Sequence, residues 1–331
     1  MRLGLIAAVF AGLLGQGAAA APVLTVYTYD SFASEWGPGP KIKALFEAEC
    51  DCTVDFVTAG DGASLLGRLR LEGIRSPADV MVGLDNNLID AARESGLFAP
   101  HGLGPVALDV PVEVGDDTFL PFDWGYFAFV YDRTKLSDPP DSFGTLIGRP
   151  DSFKIIIQDP RSSTPGLGLL LWVKAAYGDR APEIWKGLAP HVLTVTPGWS
   201  EAYGMFLKGE ADMVLSYTTS PAYHIVEEQD DTKAAAMFAE GHYLQVEVAA
   251  RLASSQEQEL AGRFLSFLLS DAAQAVLPTT NWMYPAITPA EGLPAGFEKL
   301  SIPERALILT PEEARSVRDS ALDEWLGTLS R

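Results

Sequence analysis

The first third of the chain alternates short apolar runs with segments of helical periodicity. Residues 23–27, 54–57 and 79–82 are short and rich in β-branched or other apolar side chains, which predicts three strands. After each of them apolar residues recur at helical spacing, and helices are expected over 41–49, 63–72 and 87–95. Strand–helix–strand alternation is typical of a parallel sheet with helices on its faces.

Two longer apolar segments interrupt this alternation. Residues 119–132 are aromatic, β-prone and too long for an ordinary strand, and residues 243–252 form a second long apolar run. Each segment is expected to cross between two lobes. The pattern therefore predicts an α/β fold of two lobes, a clamshell of the kind that holds its ligand between the lobes.

The segment between the two crossings repeats the alternation of the first lobe. Strands are expected at 154–157, 193–195 and 212–216, with helices that begin near Thr164, Ala181, Ser200 and Ser220. After the second crossing, an amphipathic helix is expected over 257–274 and a last helix over 311–329. These patterns assign residues 21–121 and 247–331 to lobe 1 and residues 122–246 to lobe 2.

Residues 1–20 have the pattern of a secretory signal. Arg2 is followed by an apolar stretch over 3–14 and then by small residues, so that cleavage is expected after Ala20. The apolar stretch is too short to span a bilayer. We therefore expect a monomeric protein that is exported to the bacterial periplasm and does not insert into the membrane.

Charge and cysteine content narrow the range of partners. With a net charge of −20, the protein repels nucleic-acid phosphates and anionic lipids and favours cationic ligands. Two cysteines exclude a disulfide framework and a four-cysteine zinc site, and the four histidines lack metal-ligand spacing, so neither a metal nor a cofactor is expected. Cys50 and Cys52 follow a predicted helix, whose final turn is expected to bring them together in a local disulfide.

A hydroxyl-rich loop at 217–220 follows the third strand of the second lobe. Ser220 and Pro221 have the form of a helix N-cap and first helical residue. Such a loop offers N–H and O–H donors to an anion, and Tyr217 and Tyr223 offer aromatic faces to a flat cation. The combination favours a small zwitterionic ligand. A capped surface helix beside two half-buried tyrosines is the alternative.

Further candidates lie at predicted strand ends, where open α/β sheets bind their ligands. Ser163 and Thr164 precede a proline at a helix start, so they either hold a phosphate or hydroxyl group or simply cap the helix. Trp199 and Trp282 lie in polar loops, where they either stack on an aromatic ligand or pack against the protein.

The motifs of common enzymes are missing from the sequence. It contains no Gly-x-Ser-x-Gly turn and no Gly-x-x-x-x-Gly-Lys phosphate loop. Ser220 and His224 are close on one helix, without an oriented acid that would complete a catalytic triad. We therefore expect a binding protein rather than an enzyme.

Several stretches of the chain closely resemble the periplasmic thiamine-binding proteins of bacterial ABC importers. They are VLTVYTYDSF at 23–32, WGPGP at 36–40, GLDNN at 83–87, QDPR at 158–161, STPGLG at 163–168, GWSEAY at 198–203, LSYTTSPAYH at 215–224 and NWMYP at 281–285. The resemblance implies the two-lobed (type II) periplasmic binding protein fold. It also implies that the ligand is thiamine, its monophosphate or its diphosphate, which is passed to a membrane permease.

The same resemblance implies which residues contact the ligand. Direct contacts are implied for Asp61, Gly62, Ser163, Thr164, Trp199, Tyr217, Thr218, Thr219 and Ser220. Aromatic walls are implied at Tyr29, Trp36, Tyr223 and Trp282.

Two alternatives belong to the same fold class. A thiamine-cleaving enzyme would need a cysteine nucleophile in the cleft, whereas Cys50 and Cys52 follow a helix away from the strand-end loops. A ferric-ion-binding periplasmic protein would need clustered tyrosines with a histidine or carboxylate, and the tryptophans would have no role in it.

Overall fold

The computed structural model describes residues 21–113 and 116–329, so the expected secretory signal at 1–20 lies outside the described residues. The strands are β1 (Val23–Thr28), β2 (Thr53–Thr58), β3 (Val80–Asp85), β4 (Phe98–Ala99), β5 (Leu120–Asp132), β6 (Ile155–Gln158), β7 (Val192–Thr196), β8 (Met213–Tyr217), β9 (Lys233–Ala236), β10 (His242–Leu252), β11 (Tyr284–Pro285) and β12 (Ala306–Leu307).

The α-helices alternate with these strands, and short 3-10 turns lie at Gly73–Arg75, Gly178–Arg180 and Phe297–Lys299. The helices are α1 (Asp30–Ala33), α2 (Gly39–Cys50), α3 (Gly62–Glu72), α4 (Ile89–Glu94), α5 (Phe143–Ile147), α6 (Thr164–Tyr177), α7 (Ala181–Leu188), α8 (Trp199–Leu207), α9 (Pro221–Glu227), α10 (Gln258–Leu268), α11 (Asp271–Gln274), α12 (Leu277–Thr280) and α13 (Pro311–Leu329).

The two long strands run side by side and connect the lobes, as the sequence predicted. The main strand order is β2-β1-β3-β10-β5-β8-β6-β7. β5 pairs antiparallel with β10 as far as Tyr126, and from Phe127 it pairs with β8 and β9 instead. One strand therefore begins in the sheet of lobe 1 and ends in the sheet of lobe 2, which gives the expected two-lobed α/β fold.

Lobe 1 has its sheet between two layers of helices. β1 is parallel to β2 and β3, and β3 is buried along its whole length because both of its faces are covered. On one face Phe46 of α2 packs edge-to-face on Phe264 of α10, with 5.1 Å between ring centroids. On the other face Leu65 of α3 and Ile89 of α4 contribute to the core.

Lobe 2 repeats this arrangement. β6 lies between β7 and β8 and is parallel to both. Trp172 of α6 and Phe143 of α5 pack on one face of the sheet, with 5.0 Å between their ring centroids. Phe206 of α8 packs on the opposite face against Ile156 and Val214.

The helix expected over 257–274 is divided in two, so that prediction was wrong. α10 ends at Leu268, and α11 begins after Ser270, whose hydroxyl accepts a hydrogen bond from the backbone N–H of Ala273. Ser270 acts as an N-cap, and a cap that satisfies free backbone donors favours a new helix start over continuation of the old one. The turn directs the chain back toward the cleft.

The C-terminal helix corrects the assignment of residues 247–331 to lobe 1. α13 packs mainly against α6 and α7 of lobe 2, where Trp325 is buried and Lys174 Nζ lies 2.7 Å from Glu324 Oε1. Its first turns also contact lobe 1, because Arg315 forms ion pairs with Asp90 and Glu94 of α4. α13 therefore bridges the lobes, a placement that helical periodicity alone could not reveal.

The two cysteines form the disulfide that was expected from their position. α2 ends at Cys50, and Asp51 adopts a left-handed conformation with φ of 52°. This turn brings Cys50 Sγ and Cys52 Sγ into a covalent bond with 5.1 Å between the Cα atoms. Both side chains lie in the lobe 1 core beside Phe46.

Among the described helices, none is by itself long and apolar enough to cross a membrane. One bent pair of described segments, Gln258–Leu268 with Asp271–Thr280, is long and apolar enough when its two parts are taken together. The two parts meet at an angle of 60°, and the match rests on length and composition alone. Phe264 and Leu265 of this pair are buried in the core of lobe 1.

Candidate ligand-binding site

A cavity of about 650 Å³ lies between the two lobes. Eight of the residues implied by the family resemblance line it, namely Tyr29, Trp36, Asp61, Trp199, Tyr217, Ser220, Tyr223 and Trp282. Five others lie outside its lining, namely Gly62, Ser163, Thr164, Thr218 and Thr219. The aromatic candidates therefore face the cavity, whereas most of the candidates for anion binding lie behind its wall.

Two tryptophans from opposite lobes face each other across the cavity. The ring centroids of Trp36 and Trp199 are 6.3 Å apart, and Trp36 is 53% exposed. Trp199 begins α8 and is held by stacking on Tyr203 at 5.0 Å and by donation from its Nε1 to Ser216 Oγ at 2.7 Å. The two ring planes are tilted by 53°, so the tryptophans form a joined aromatic edge of the cavity.

A second aromatic pair lines the same cavity. Tyr223 of α9 meets Trp282 edge-to-face, with 5.4 Å between ring centroids. Trp282 has φ of 56°, a left-handed conformation that is rare for bulky residues. Its backbone N–H donates to the carbonyl of Leu277 at 3.0 Å, which holds this conformation. Local strain of this kind is concentrated at functional sites.

The N-terminus of α6 contacts the other lobe, and Pro165 in its first turn also lines the cavity. Asp61 Oδ2 accepts hydrogen bonds from Ser163 Oγ at 2.9 Å and from the backbone N–H of Thr164 at 3.2 Å. Burial raises the pKa of Asp61, and these hydrogen bonds together with one from the Gly62 N–H offset part of that effect. The expected phosphate position at Ser163 and Thr164 is thus occupied by a carboxylate of the protein itself.

Gly62 permits this close approach of the lobes. Its N–H donates to Thr164 Oγ1 at 3.3 Å. A Cβ atom at position 62 would lie only 2.5 Å from that hydroxyl oxygen, and 3.2 Å from the carbonyl oxygen of Gly83. Gly62 therefore contributes to the site through its lack of a side chain.

The hydroxyl loop at 217–220 is arranged differently from the expected cap. Ser220 Oγ accepts from the backbone N–H of Tyr217 at 3.1 Å and lies 2.6 Å from Ser216 Oγ, so its side chain does not cap α9. Thr219 Oγ1 donates to Met283 Sδ at 3.7 Å, and Thr218 Oγ1 is buried without a partner among the described residues. The loop supports the cavity wall more than it presents donors to a ligand.

The cavity has an acidic floor that was not predicted from the sequence. Glu247 of β10 lines the cavity and accepts hydrogen bonds from Tyr29 Oη and Gln245 Nε2, both at 2.9 Å. Behind it, Asp123 of β5 accepts from Asn281 Nδ2 at 2.6 Å. Acidic residues inside two otherwise apolar strands were the available signal, since a buried charge needs a reason to be there.

The tyrosines near this floor remain phenols. Burial, with the negative charge of Glu247 next in importance, raises the pKa of both Tyr29 and Tyr217 well above the usual range. Tyr29 donates to Glu247, and Tyr217 donates to Gln245 Oε1 at 2.8 Å. Both hydroxyls are thus held by side chains of the floor, and none of the described histidines lines the cavity.

His224 is the one histidine in the described chain that lies within a group of potential metal ligands. Its Nδ1 lies 2.6 Å from Glu228 Oε2 and its Nε2 lies 2.9 Å from Tyr203 Oη. Asp230 completes a set whose ligand atoms lie within 4.8 Å of one another. The two hydrogen bonds of the ring already explain its position beneath Tyr203.

Comparison with known proteins shows the family to which this chain belongs. A family model described as bacterial extracellular solute-binding protein matches residues 33–275. The chain belongs to this family. Within these solute-binding proteins, it is 58% identical over 312 residues to the thiamine-binding periplasmic protein of Escherichia coli (strain K12), covering 94% of this chain and 95% of the relative.

Solved structures agree with this assignment. A structure described as periplasmic thiamin binding protein matches with a TM-score of 0.92 and 57% identity, covering 97% of this chain and 100% of the other. The resemblance seen in the sequence motifs is therefore confirmed. A ferric binding protein from Campylobacter jejuni matches with a TM-score of 0.74 at 18% identity, covering 92% and 99% of the two chains, and shares the fold alone.

Proposed function

We propose that this solute-binding protein binds thiamine, as the free vitamin or as its monophosphate or diphosphate, and delivers it to the membrane permease of an ABC importer. The family and the names of its relatives support this proposal. The expected signal at 1–20 would direct the protein to the periplasm, where it would act as a monomer that binds its ligand without turnover.

One observation carries the choice of ligand: the cavity has aromatic faces above a floor of carboxyl groups. Trp36 and Trp199 approach from opposite lobes, and Glu247 lines the same cavity. Thiamine joins a thiazolium cation to an aminopyrimidine, so it offers two flat rings and a positive charge. Cation–π contacts contribute ~0.5–2 kcal/mol each, and a carboxylate complements the same charge.

The alternatives require chemistry that these residues do not supply. The two cysteines are joined in a disulfide within the lobe 1 core, and neither lines the cavity, so a cysteine nucleophile is not supported. The hydroxyls of Tyr29 and Tyr217 are held by Glu247 and Gln245, and none of the described histidines lines the cavity, so a phenolate iron site is not supported either.

Isothermal titration calorimetry of the purified mature protein tests the proposal. We expect saturable heat with thiamine, none with ferric citrate, and no free pyrimidine by mass spectrometry after prolonged incubation. Trp199→Ala should weaken binding, whereas Leu71→Ala, at an 85% exposed position on α3, should leave it unchanged. Heat from ferric ion without heat from thiamine would support the iron alternative, and steady release of pyrimidine would support the enzyme.

A further inference from the structure

Three carboxyl groups lie side by side across the sheet of lobe 1. In the strand register, Glu247 of β10 is directly opposite Asp85 of β3 on one side and Asp123 of β5 on the other. Like charges directly opposite each other on neighbouring strands destabilise a sheet. A row of acids at this position therefore destabilises the folded protein. A function of these acids in the cavity would explain why they are present despite that loss of stability.

The carboxyl groups have polar partners, but no cation pairs with them in the described chain. Glu247 accepts from Tyr29 and Gln245, Asp123 Oδ2 accepts from Asn281, and Asp85 accepts from the side chain of Asn87 at 2.7 Å. Asp123 is fully buried, and its second oxygen, Oδ1, has no hydrogen-bond partner among the described residues.

The groups that face Glu247 come from every surrounding element. Three of these groups are carboxyl groups: Asp61 before α3, Asp85 at the end of β3 and Asp123 on β5. The other two are the neutral phenols of Tyr29, after β1, and Tyr217, at the end of β8. Lys41, Glu35 and Glu227 also line the cavity, but none of the three forms an ion pair with Glu247. The charged groups that act on Glu247 are therefore all acidic, and only hydrogen bonds such as that from Tyr29 stabilise its carboxylate.

This environment favours protons on the floor of the empty cavity. Burial raises the pKa of Glu247 well above its usual range, and the charge of Asp123 raises it further. Burial also raises the pKa of Asp123 to about 7, although its contacts with Asn281 and Glu247 oppose that shift. A nearby positive charge has the opposite effect, since it stabilises a carboxylate.

We propose that the Asp123–Glu247 pair is a proton-exchanging cation site, in which the positive charge of the ligand replaces a proton that the empty cavity holds. This inference rests on the proposed function, because it requires a cationic ligand such as thiamine. On binding, the proton leaves a carboxyl oxygen of the pair for the solvent, and the resulting carboxylate neutralises the ligand. By linkage, affinity for the cation rises with pH wherever a proton is released.

Calorimetry in two buffers measures this exchange directly. Thiamine is titrated into the mature protein at pH 6.5 in PIPES and in Bis-Tris, whose ionisation enthalpies differ, so that any released proton adds a buffer-dependent heat. We expect a net release of roughly 0.3–1 proton per thiamine, together with an affinity that rises by up to about tenfold per pH unit between pH 6 and 7.

Variants test whether the released proton comes from this pair. Glu247→Gln and Asp123→Asn should each reduce proton release by at least half, whereas Glu49→Gln, at an exposed position on α2, should leave it unchanged. If a variant fails to fold, as judged by circular dichroism, the two-buffer result on the unchanged protein still decides. Binding with equal heats in both buffers, or with net proton uptake, overturns the exchange and leaves the thiamine proposal standing. No binding of thiamine in either buffer overturns the proposed function itself.

Discussion

Ser163 donates a hydrogen bond from its hydroxyl to Asp61, and this bond of 2.9 Å joins lobe 2 to lobe 1. Both residues were candidates for direct ligand contact, yet in this structure they contact each other. The carboxylate of Asp61 accepts the donors at the start of α6 that a phosphate would use. A phosphorylated ligand must therefore displace Asp61 or bind beside its negative charge.

Asp61→Asn tests this competition. The amide keeps the shape of the carboxyl group but removes its charge, so repulsion of a ligand phosphate falls. We expect the affinity for thiamine diphosphate relative to thiamine to rise about two- to fivefold, since a charge near a helix terminus contributes ~0.3–1 kcal/mol. Calorimetry with both ligands measures the ratio. An unchanged ratio would mean that the phosphate lies away from the start of α6.

Gly62→Ala tests the closeness of the lobes. The added Cβ would lie 2.5 Å from Thr164 Oγ1, so the lobes must separate slightly to admit it. We expect at least tenfold weaker thiamine binding, and small-angle X-ray scattering should show a larger radius of gyration. Gly67→Ala on the same helix is the matched control, because a Cβ there meets nothing within 4 Å. That variant should bind normally and be more stable by ~0.5–1 kcal/mol, as alanine favours a helix.

Comparison of Trp282→Gly with Trp282→Ala tests the left-handed backbone at this residue. Both variants lose the same aromatic face, so both should bind thiamine less tightly, by roughly 2- to 30-fold for a cation–π contact of ~0.5–2 kcal/mol. At φ of 56°, however, alanine pays a steric cost that glycine avoids. We expect the glycine variant to be the more stable one by ~1 kcal/mol in urea unfolding. Equal stabilities would show that the backbone relaxes once the ring is gone.

Asp85→Asn tests the effect of a buried acid on stability. Burial raises the pKa of Asp85 to about 7, well above the value of an unfolded aspartate. Between about pH 4 and 7 the folded protein therefore binds more protons than the unfolded chain, so its stability falls as pH rises. One such group contributes a slope of up to ~1.4 kcal/mol per pH unit.

Urea unfolding at pH 5, 6, 7 and 8 measures this slope. We expect the free energy of unfolding to depend less steeply on pH in Asp85→Asn than in the unchanged protein. Asp319→Asn is the control, because that carboxyl group is 92% exposed on α13. If both variants follow the unchanged protein, Asp85 is ionised throughout this range.

The sequence alone determined most of the longer strands and helices and the order in which they occur. Apolar periodicity located β1, β2, β3, β6, β7 and β8, and the unusual length of 119–132 and 243–252 identified the two crossings. Local chemistry also predicted the start of α6 at Thr164 and the start of α13 at Pro311. These features depend on residues that are neighbours in the chain, so apolar periodicity and helix-capping preferences are enough to predict them.

Only the tertiary structure decided which polar groups come together at the cavity. Glu247 and Asp123 meet because β10 and β5 pair in one register, and a shift of one residue would turn both side chains to the opposite face. Asp61 and Ser163 are 102 positions apart in the chain, and they meet only because the lobes close. α13 packs on lobe 2 because the apolar surface that it covers belongs to α6 and α7. Contacts between distant segments depend on register, lobe position and complementary surfaces, which no local pattern of the sequence contains.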